Sequence, residues 1–277
     1  GRRIMGENHM RENPIGVFDS GVGGLTVARE IINQLPNENI VYFGDTARVP
    51  YGSKSKETII GYSRQIAQFL RTKEVKAIVI ACNTASALAL ETLKQENDIP
   101  VLGVVEPGAR AAAKATKNNK IGVIGTLATV NSGIYSQCLR KIKPEAQVYS
   151  RACPLFVPLV EENWLYDSVT IEIAERYLSE LKGYGVDSLV LGCTHYPLLR
   201  HTIQKVMGEE VELVNPAYET ALKLKAVLEE KQMNRLDWEP TEHRFYVSDG
   251  AEKFKAFANT ILPCDVMEAD VVNIEQY

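Results

Sequence analysis

The sequence predicts an α/β protein with mostly parallel sheets covered by helices on both faces. Two observations carry that prediction. From residue 14 onward, short β-branched runs alternate with segments of helical apolar spacing. The same order of segments then returns in the second half of the chain. Strand–helix–strand alternation requires right-handed crossovers, and these pair strands in parallel.

IGVFD (15–19) is a short apolar strand ending at Ser20-Gly21. LTVAREIINQL, from Leu25, carries apolar residues three and four apart and predicts a helix. NIVYFGD (39–45) is the next strand, and KETIIGYSRQIAQFLRTK (56–73) is helical by the same spacing. KAIVIAC (76–82) is too short for a lone helix and is bounded by polar residues, so it predicts a buried strand. TASALALETLKQEN (84–97) is an Ala/Leu-rich helix, and IPVLGVV (99–105) the following strand. QMNRLDWEPTEH (232–243) predicts a loop.

The echoes follow in order. IGVFDSG (15–21) returns as IGVIGT (121–126), Val41-Tyr42 as Val148-Tyr149, and Val49-Pro50 as Val157-Pro158. AIVIACNTASALAL (77–90) returns as SLVLGCTHYPLLR (188–200), which places Cys82 and Cys193 at matching positions. Four echoes in one order imply two similar α/β units with one cysteine at the same place in each.

Composition narrows the function. The 277 residues suffice for one large or two medium domains, and 45% hydrophobic with 24% charged residues are ordinary globular values. No apolar run reaches the roughly 18 residues of a membrane span. A net charge of -4 with no basic block gives a nucleic-acid surface no support. Five dispersed cysteines without a C-x-x-C pair make a poor disulfide framework and fit a reducing compartment. Residues 1–13 are polar and aperiodic, resemble an expression tag, and are set apart from the fold.

In parallel α/β sheets, ligands lie beyond the carboxyl ends of the strands. Cys82 and Cys193 each close an apolar strand just before a helix. Unpaired N–H groups and the positive end of the helix dipole there predict a lowered thiol pKa. Free cysteine is also among the most buried and inert residue types, but two at matching strand ends favour chemistry. Asn83-Thr84 and Thr194-His195 supply donors suited to carboxylates at both helix starts. His195 is either a proton partner of Cys193 or a helix cap. Zinc fits poorly, because Cys193-Thr194-His195 has no second ligand pair at the required spacing.

FDSGVGGLTV (18–27) opens a helix after a strand but lacks the third glycine of a dinucleotide fingerprint and the ending of a P-loop. A carboxylate, Asp19, and a hydroxyl, Ser20, remain on a glycine turn. ARVPYGSKS (47–55) is a second turn, with Pro50 setting the backbone before Tyr51 and Gly52. Two thiols from related halves suit inversion of a stereocentre, one group removing a proton while the other delivers one to the opposite face.

FDSGVGGL (18–25), GDTARVPYG (44–52), ACNTASA (81–87), IGVIGT (121–126) and GCTHYPLL (192–199) together resemble the aspartate/glutamate racemase family, from about residue 14 to the C-terminus. The resemblance implies two pseudo-symmetric flavodoxin-like domains with the active site between them. Residues 14–107 plus 216–277 would form the first and 108–215 the second. It implies cofactor-independent racemisation of glutamate in the cytoplasm, supplying D-glutamate for peptidoglycan synthesis, in a chain that forms a homodimer. Cys82 and Cys193 would be the acid/base pair, Cys82 acting on D-glutamate and Cys193 on L-glutamate. Asp19 and His195 would assist them, together with Glu161 or its neighbour Glu162. Substrate contacts would come from Asp19, Ser20, Pro50, Tyr51, Gly52, Asn83, Thr84, Thr126, Thr129, Thr194 and His195. A relative acting on aspartate would keep both cysteines, a decarboxylase of this fold only one. A non-catalytic amino-acid-binding module would explain the donors but not two matched thiols.

Overall fold

The computed structural model describes residues 10–277. Among the described residues ten strands alternate with helices as predicted, and every strand pairing is parallel. The first unit runs β1 (Ile15–Asp19), α1 (Leu25–Gln34), β2 (Ile40–Gly44), α2 (Lys56–Thr72), β3 (Ala77–Ile80), α3 (Asn83–Glu96) and β4 (Val101–Gly103). After α4 (Val105–Ala115) comes the second unit: β5 (Lys120–Gly125), α5 (Leu127–Ser132), α6 (Ile134–Ile142), β6 (Gln147–Ala152), α7 (Phe156–Glu161), α8 (Ser168–Tyr184), β7 (Ser188–Gly192), α9 (Arg200–Met207) and β8 (Glu212–Val214). The chain closes with α10 (Pro216–Glu230), β9 (Arg244–Val247), α11 (Ala251–Ile261) and β10 (Asp270–Val271).

Two sheets result, ordered β10-β9-β2-β1-β3-β4 and β6-β5-β7-β8. The run β2-β1-β3-β4 has the same connectivity as β6-β5-β7-β8, so the sequence echoes become equivalent strands. Ile15 pairs with Ile40 and Ala77 on its two sides, as Ile121 pairs with Val148 and Ser188. β9 and β10 extend only the first sheet.

Burial follows the two-residue period of strands. Ile40 and Tyr42 of β2 face Leu25, Ile31 and Leu224, while Val41 and Phe43 face Ile66, Phe69 and Leu70. In the second sheet, Ile121 and Val123 meet Ala109, Ala112 and Leu139, and Leu189 and Leu191 meet Phe156, Leu178 and Ile203. Both faces of each sheet are therefore covered, which leaves the strand ends as the place for chemistry. Among the described residues no helix is long and apolar enough to cross a membrane.

Three sequence expectations change. The Val49-Pro50 and Val157-Pro158 echo is not structural: the first pair lies in a loop and the second inside α7. The strand expected over 99–105 stops at Gly103, because Val105 already begins α4. Of residues 1–13, set apart as a tag, 1–9 lie outside the described residues, but Arg11 and Glu12 belong to the packed body. Arg11 Nε donates to the Asn234 carbonyl at 2.9 Å, and Glu12 pairs with Arg235 at 3.0 Å. Charge pairing across distant segments holds them, and a local composition argument does not register it.

That network centres on a buried ion pair. Lys76 Nζ lies 2.6 Å from Glu38 Oε2 and donates to the carbonyls of Arg11 and Met233 at 2.7 and 2.8 Å. Glu38 Oε1 accepts from the Arg235 N–H at 2.7 Å, so the pair ties the start of β3 to the 232–243 loop. Lys76→Met leaves the Glu38 carboxylate buried without its counter-ion and is expected to cost about 3–5 kcal/mol of stability. Urea unfolding midpoints check this, with an unchanged midpoint counting against it.

Candidate active site

The site is built where β1, β3, β5 and β7 end, at the junction of the two units. Asp19, the last residue of β1, is fully buried. Its Oδ2 accepts from the N–H groups of Gly21 and Gly24 at 3.1 and 2.8 Å, and its Oδ1 is buried without a partner. Burial pushes its pKa up, against the pull of His195 and the backbone N–H groups of Gly24, Gly21 and Ser20. The glycine turn is required by close approach. A Cβ on Gly24 would stand 2.3 Å from Asp19 Cβ, and one on Gly23 2.5 Å from both His195 Nδ1 and Thr194 Oγ1. The first unit thus rests directly on the cysteine motif of the second. Thr26 Oγ1 reinforces the contact, donating to the Thr194 carbonyl at 3.0 Å.

Cys82 leaves β3 and caps α3, its sulfur accepting from the Ala85 N–H at 3.5 Å. The helix-terminus argument predicts a lowered pKa, and the structure reverses the sign. Burial and then the charge of Asp19 push the thiol up to about 12, despite hydrogen bonds from Ala85 and Ser20. A helix terminus supplies only about 0.3–1 kcal/mol at exposed sites, up to ~2 when partly buried. Full burial moves a pKa by as much as ~3–5 units, so desolvation wins. Cys193 differs from the expectation in another way. A single 3₁₀ turn, Tyr196–Leu199, follows it, and the α-helix begins only at Arg200.

Cys193, Thr194 and His195 are all buried. Cys193 Sγ lies 3.8 Å from His195 Nδ1, and His195 Nε2 lies 3.2 Å from Glu161 Oε1. The arrangement is a relay: carboxylate, imidazole, sulfur. Burial disfavours the imidazolium, but hydrogen bonds to Cys193 and Glu161 outweigh it and raise the His195 pKa to about 10. Its hydrogen bond to His195 draws the Glu161 carboxyl below its ordinary range, against partial burial. Of the two glutamates left open by the sequence, Glu161 is the one in contact. His195 does not act as a side-chain cap.

The relay has a pH signature. An imidazolium with a pKa near 10 stays protonated through the neutral range and is lost as the pH rises past that value. The alkaline limb of kcat/KM is therefore expected near pH 10 in the parent chain and at lower pH in Glu161→Gln. Glu162→Gln should leave it in place. A limb unmoved by Glu161→Gln contradicts the relay.

Polar donors gather where the two units meet. Thr84, in the first turn of α3, has its hydroxyl 3.0 Å from that of Thr126 and 3.2 Å from that of Thr129. Asn83, beside Cys82, accepts a hydrogen bond from Tyr135 of the second unit. Asn83, Cys193 and Thr194 share the lining of a small cavity at the junction. A Cβ on Gly52 would meet Thr126 Cβ at 3.0 Å, so the Tyr51–Ser53 turn also touches the second unit.

Two expected contacts are altered. The Tyr51 hydroxyl is committed to Asp45, which leaves Tyr51 and Gly52 only their backbone groups to offer. Pro50 is exposed and reaches the site only through the turn that follows it. Tyr135 and Thr26 are functional-site neighbours that sequence reasoning missed. Among the described residues, no group of three or more His, Cys, Asp or Glu is placed to hold a metal ion.

The chain is similar to known proteins over nearly its whole length. A glutamate racemase of Geobacter metallireducens is 51% identical over 261 residues, covering 94% of this chain and 97% of that one. The crystal structure of a glutamate racemase isoform from Bacillus anthracis superposes with a TM-score of 0.92 at 41% identity, covering 95% of this chain and 98% of that one. That of the Francisella tularensis glutamate racemase in complex with D-glutamate gives 0.90 at 39% identity, covering 96% of this chain and 100% of that one. Fold, site and likeness define the class, a two-sheet α/β racemase and hence an isomerase. The family described as Asp/Glu/Hydantoin racemase matches residues 15–222, and the chain belongs to it.

Proposed function

We propose that the chain interconverts L- and D-glutamate without a cofactor, using Cys82 and Cys193 as two bases on opposite faces of the substrate Cα. In one direction a Cys193 thiolate takes the Cα proton of L-glutamate while the Cys82 thiol gives its proton to the other face. The reverse reaction exchanges the protonation states. Asp19 supports the Cys82 side and the ammonium group, and the Glu161–His195 relay supports the Cys193 side. Hydroxyls of Ser20, Thr84, Thr126, Thr129 and Thr194, the Asn83 amide and the backbone of Tyr51 and Gly52 hold the carboxylates. Donors aimed at the α-carboxylate stabilise the negative charge that builds up as the proton leaves.

The observation that carries this reading is the placement of one thiol at the equivalent strand end of each sheet, each with its own acid–base neighbour, about one junction. Glutamate as substrate rests on relatives crystallised with D-glutamate and, in the Escherichia coli enzyme, with L-glutamate. Supply of D-glutamate for peptidoglycan, a cytoplasmic setting and a homodimeric state rest on the family resemblance of the motifs. Circular dichroism tests the reaction. Either enantiomer of glutamate, incubated with the protein and no pyridoxal phosphate, should lose its signal. A stable signal, or activity confined to aspartate, overturns the reading.

A further inference from the structure

Tyr135 lies on α6, in the second unit, and is 2% exposed. Its ring packs where β7 ends: a Cβ on Gly192, the residue before Cys193, would meet Tyr135 Cε2 at 3.4 Å. Its hydroxyl crosses the junction and donates to Asn83 Oδ1, beside Cys82. One side chain therefore touches both cysteine motifs. Tyr135 belongs to the same apolar cluster as Val105, Ala109 and Val190, a setting in which packing does not call for a hydroxyl. An oxygen buried there without a partner would be unfavourable, and Asn83 supplies that partner.

We propose that Tyr135 is a positioning residue that aims the Asn83 amide at a carboxylate of the bound substrate. With Oδ1 occupied by the tyrosine hydroxyl, the asparagine has only its NH₂ group, a pure donor, left to offer a substrate beside Cys82. An unanchored asparagine could turn and present its oxygen, which would repel a carboxylate. Burial also drives the tyrosine pKa upward, so the hydroxyl keeps the proton it donates. Because the bond joins the two units, it also makes substrate affinity depend on how they are seated. The proposal rests on the reading of Asn83 as a substrate-binding group.

The experiment is a double-mutant cycle read by calorimetric binding of racemic glutamate to the parent chain, Tyr135→Phe, Asn83→Ala and the double variant. Phenylalanine keeps the buried ring, so the fold is retained. A hydrogen bond to a charged group predicts that each single variant binds about tenfold or more weakly. If Tyr135 acts only through Asn83, the double variant binds no more weakly than Asn83→Ala alone. A purely packing role would instead make the two losses multiply. Parent-like affinity of Tyr135→Phe, or multiplied losses, overturns the proposal. The readout is independent of turnover. Coupled losses in a chain that fails to racemise glutamate would overturn the proposed reaction and keep the role of Tyr135. Multiplied losses in an active racemase would do the reverse.

Discussion

Cys82→Ser and Cys193→Ser should each abolish racemisation in both directions, because every turnover of the proposed reaction needs both groups. A serine hydroxyl is a far poorer acid and base than a thiol, and losing one general acid–base group removes about 10²–10⁴-fold of rate. The two variants should still differ from each other. Elimination of HCl from a β-chloro analogue needs only one base, so each variant should keep it for one enantiomer: Cys193→Ser for the D form, taken by Cys82, and Cys82→Ser for the L form. If both variants retained elimination on the same enantiomer, or if one racemised normally, the two-thiol arrangement would be wrong. The surroundings make the pair unequal. Cys82 is held protonated by burial beside Asp19, whereas Cys193 shares a hydrogen bond with His195. Under the proposed reaction, the resting protein therefore holds an acid at Cys82 and a sulfur backed by the His195 imidazolium at Cys193.

Gly23→Ala is the second large effect expected. Gly23 does not sit at positive φ, so alanine meets no backbone penalty there. Its new methyl would instead stand 2.5 Å from both His195 Nδ1 and Thr194 Oγ1 and push the relay away from Cys193. A displacement of about 1 Å in a catalytic group can cost about 10²-fold, so kcat/KM should fall by roughly that factor in a folded protein. Gly61→Ala serves as the control, since nothing lies within 4 Å of its added Cβ. Activity of Gly23→Ala equal to that of Gly61→Ala would show that the glycine turn does not set the relay.

The parts legible in the sequence share one property, which is that each is a local pattern. Runs such as IGVFD and KAIVIAC announce buried strands, and their echoes in IGVIGT and SLVLGC announce a second sheet of the same connectivity. Both cysteines stand out because the echo places them at the same strand end. What stays hidden depends on residues far apart in the chain. Nothing around Tyr135 marks its hydroxyl as the partner of Asn83, and nothing around Lys76 marks Glu38. The preference for Glu161 over Glu162 needed the position of His195, which only the folded α7 supplies. The pKa of Cys82 went in the opposite direction for the same reason. The helix start is visible in the sequence, whereas the depth of burial that overrides it is not.

Hydrogen exchange at Cα tests the central claim most directly. Glutamate of one configuration is incubated with the protein in D₂O, and the first product and the remaining substrate are separated and weighed. Two bases on opposite faces predict one deuterium at Cα of nearly every product molecule, while recovered substrate keeps its original hydrogen at early times. Deuterium entering recovered substrate as fast as it enters product would mean that one group serves both faces, and would contradict the account.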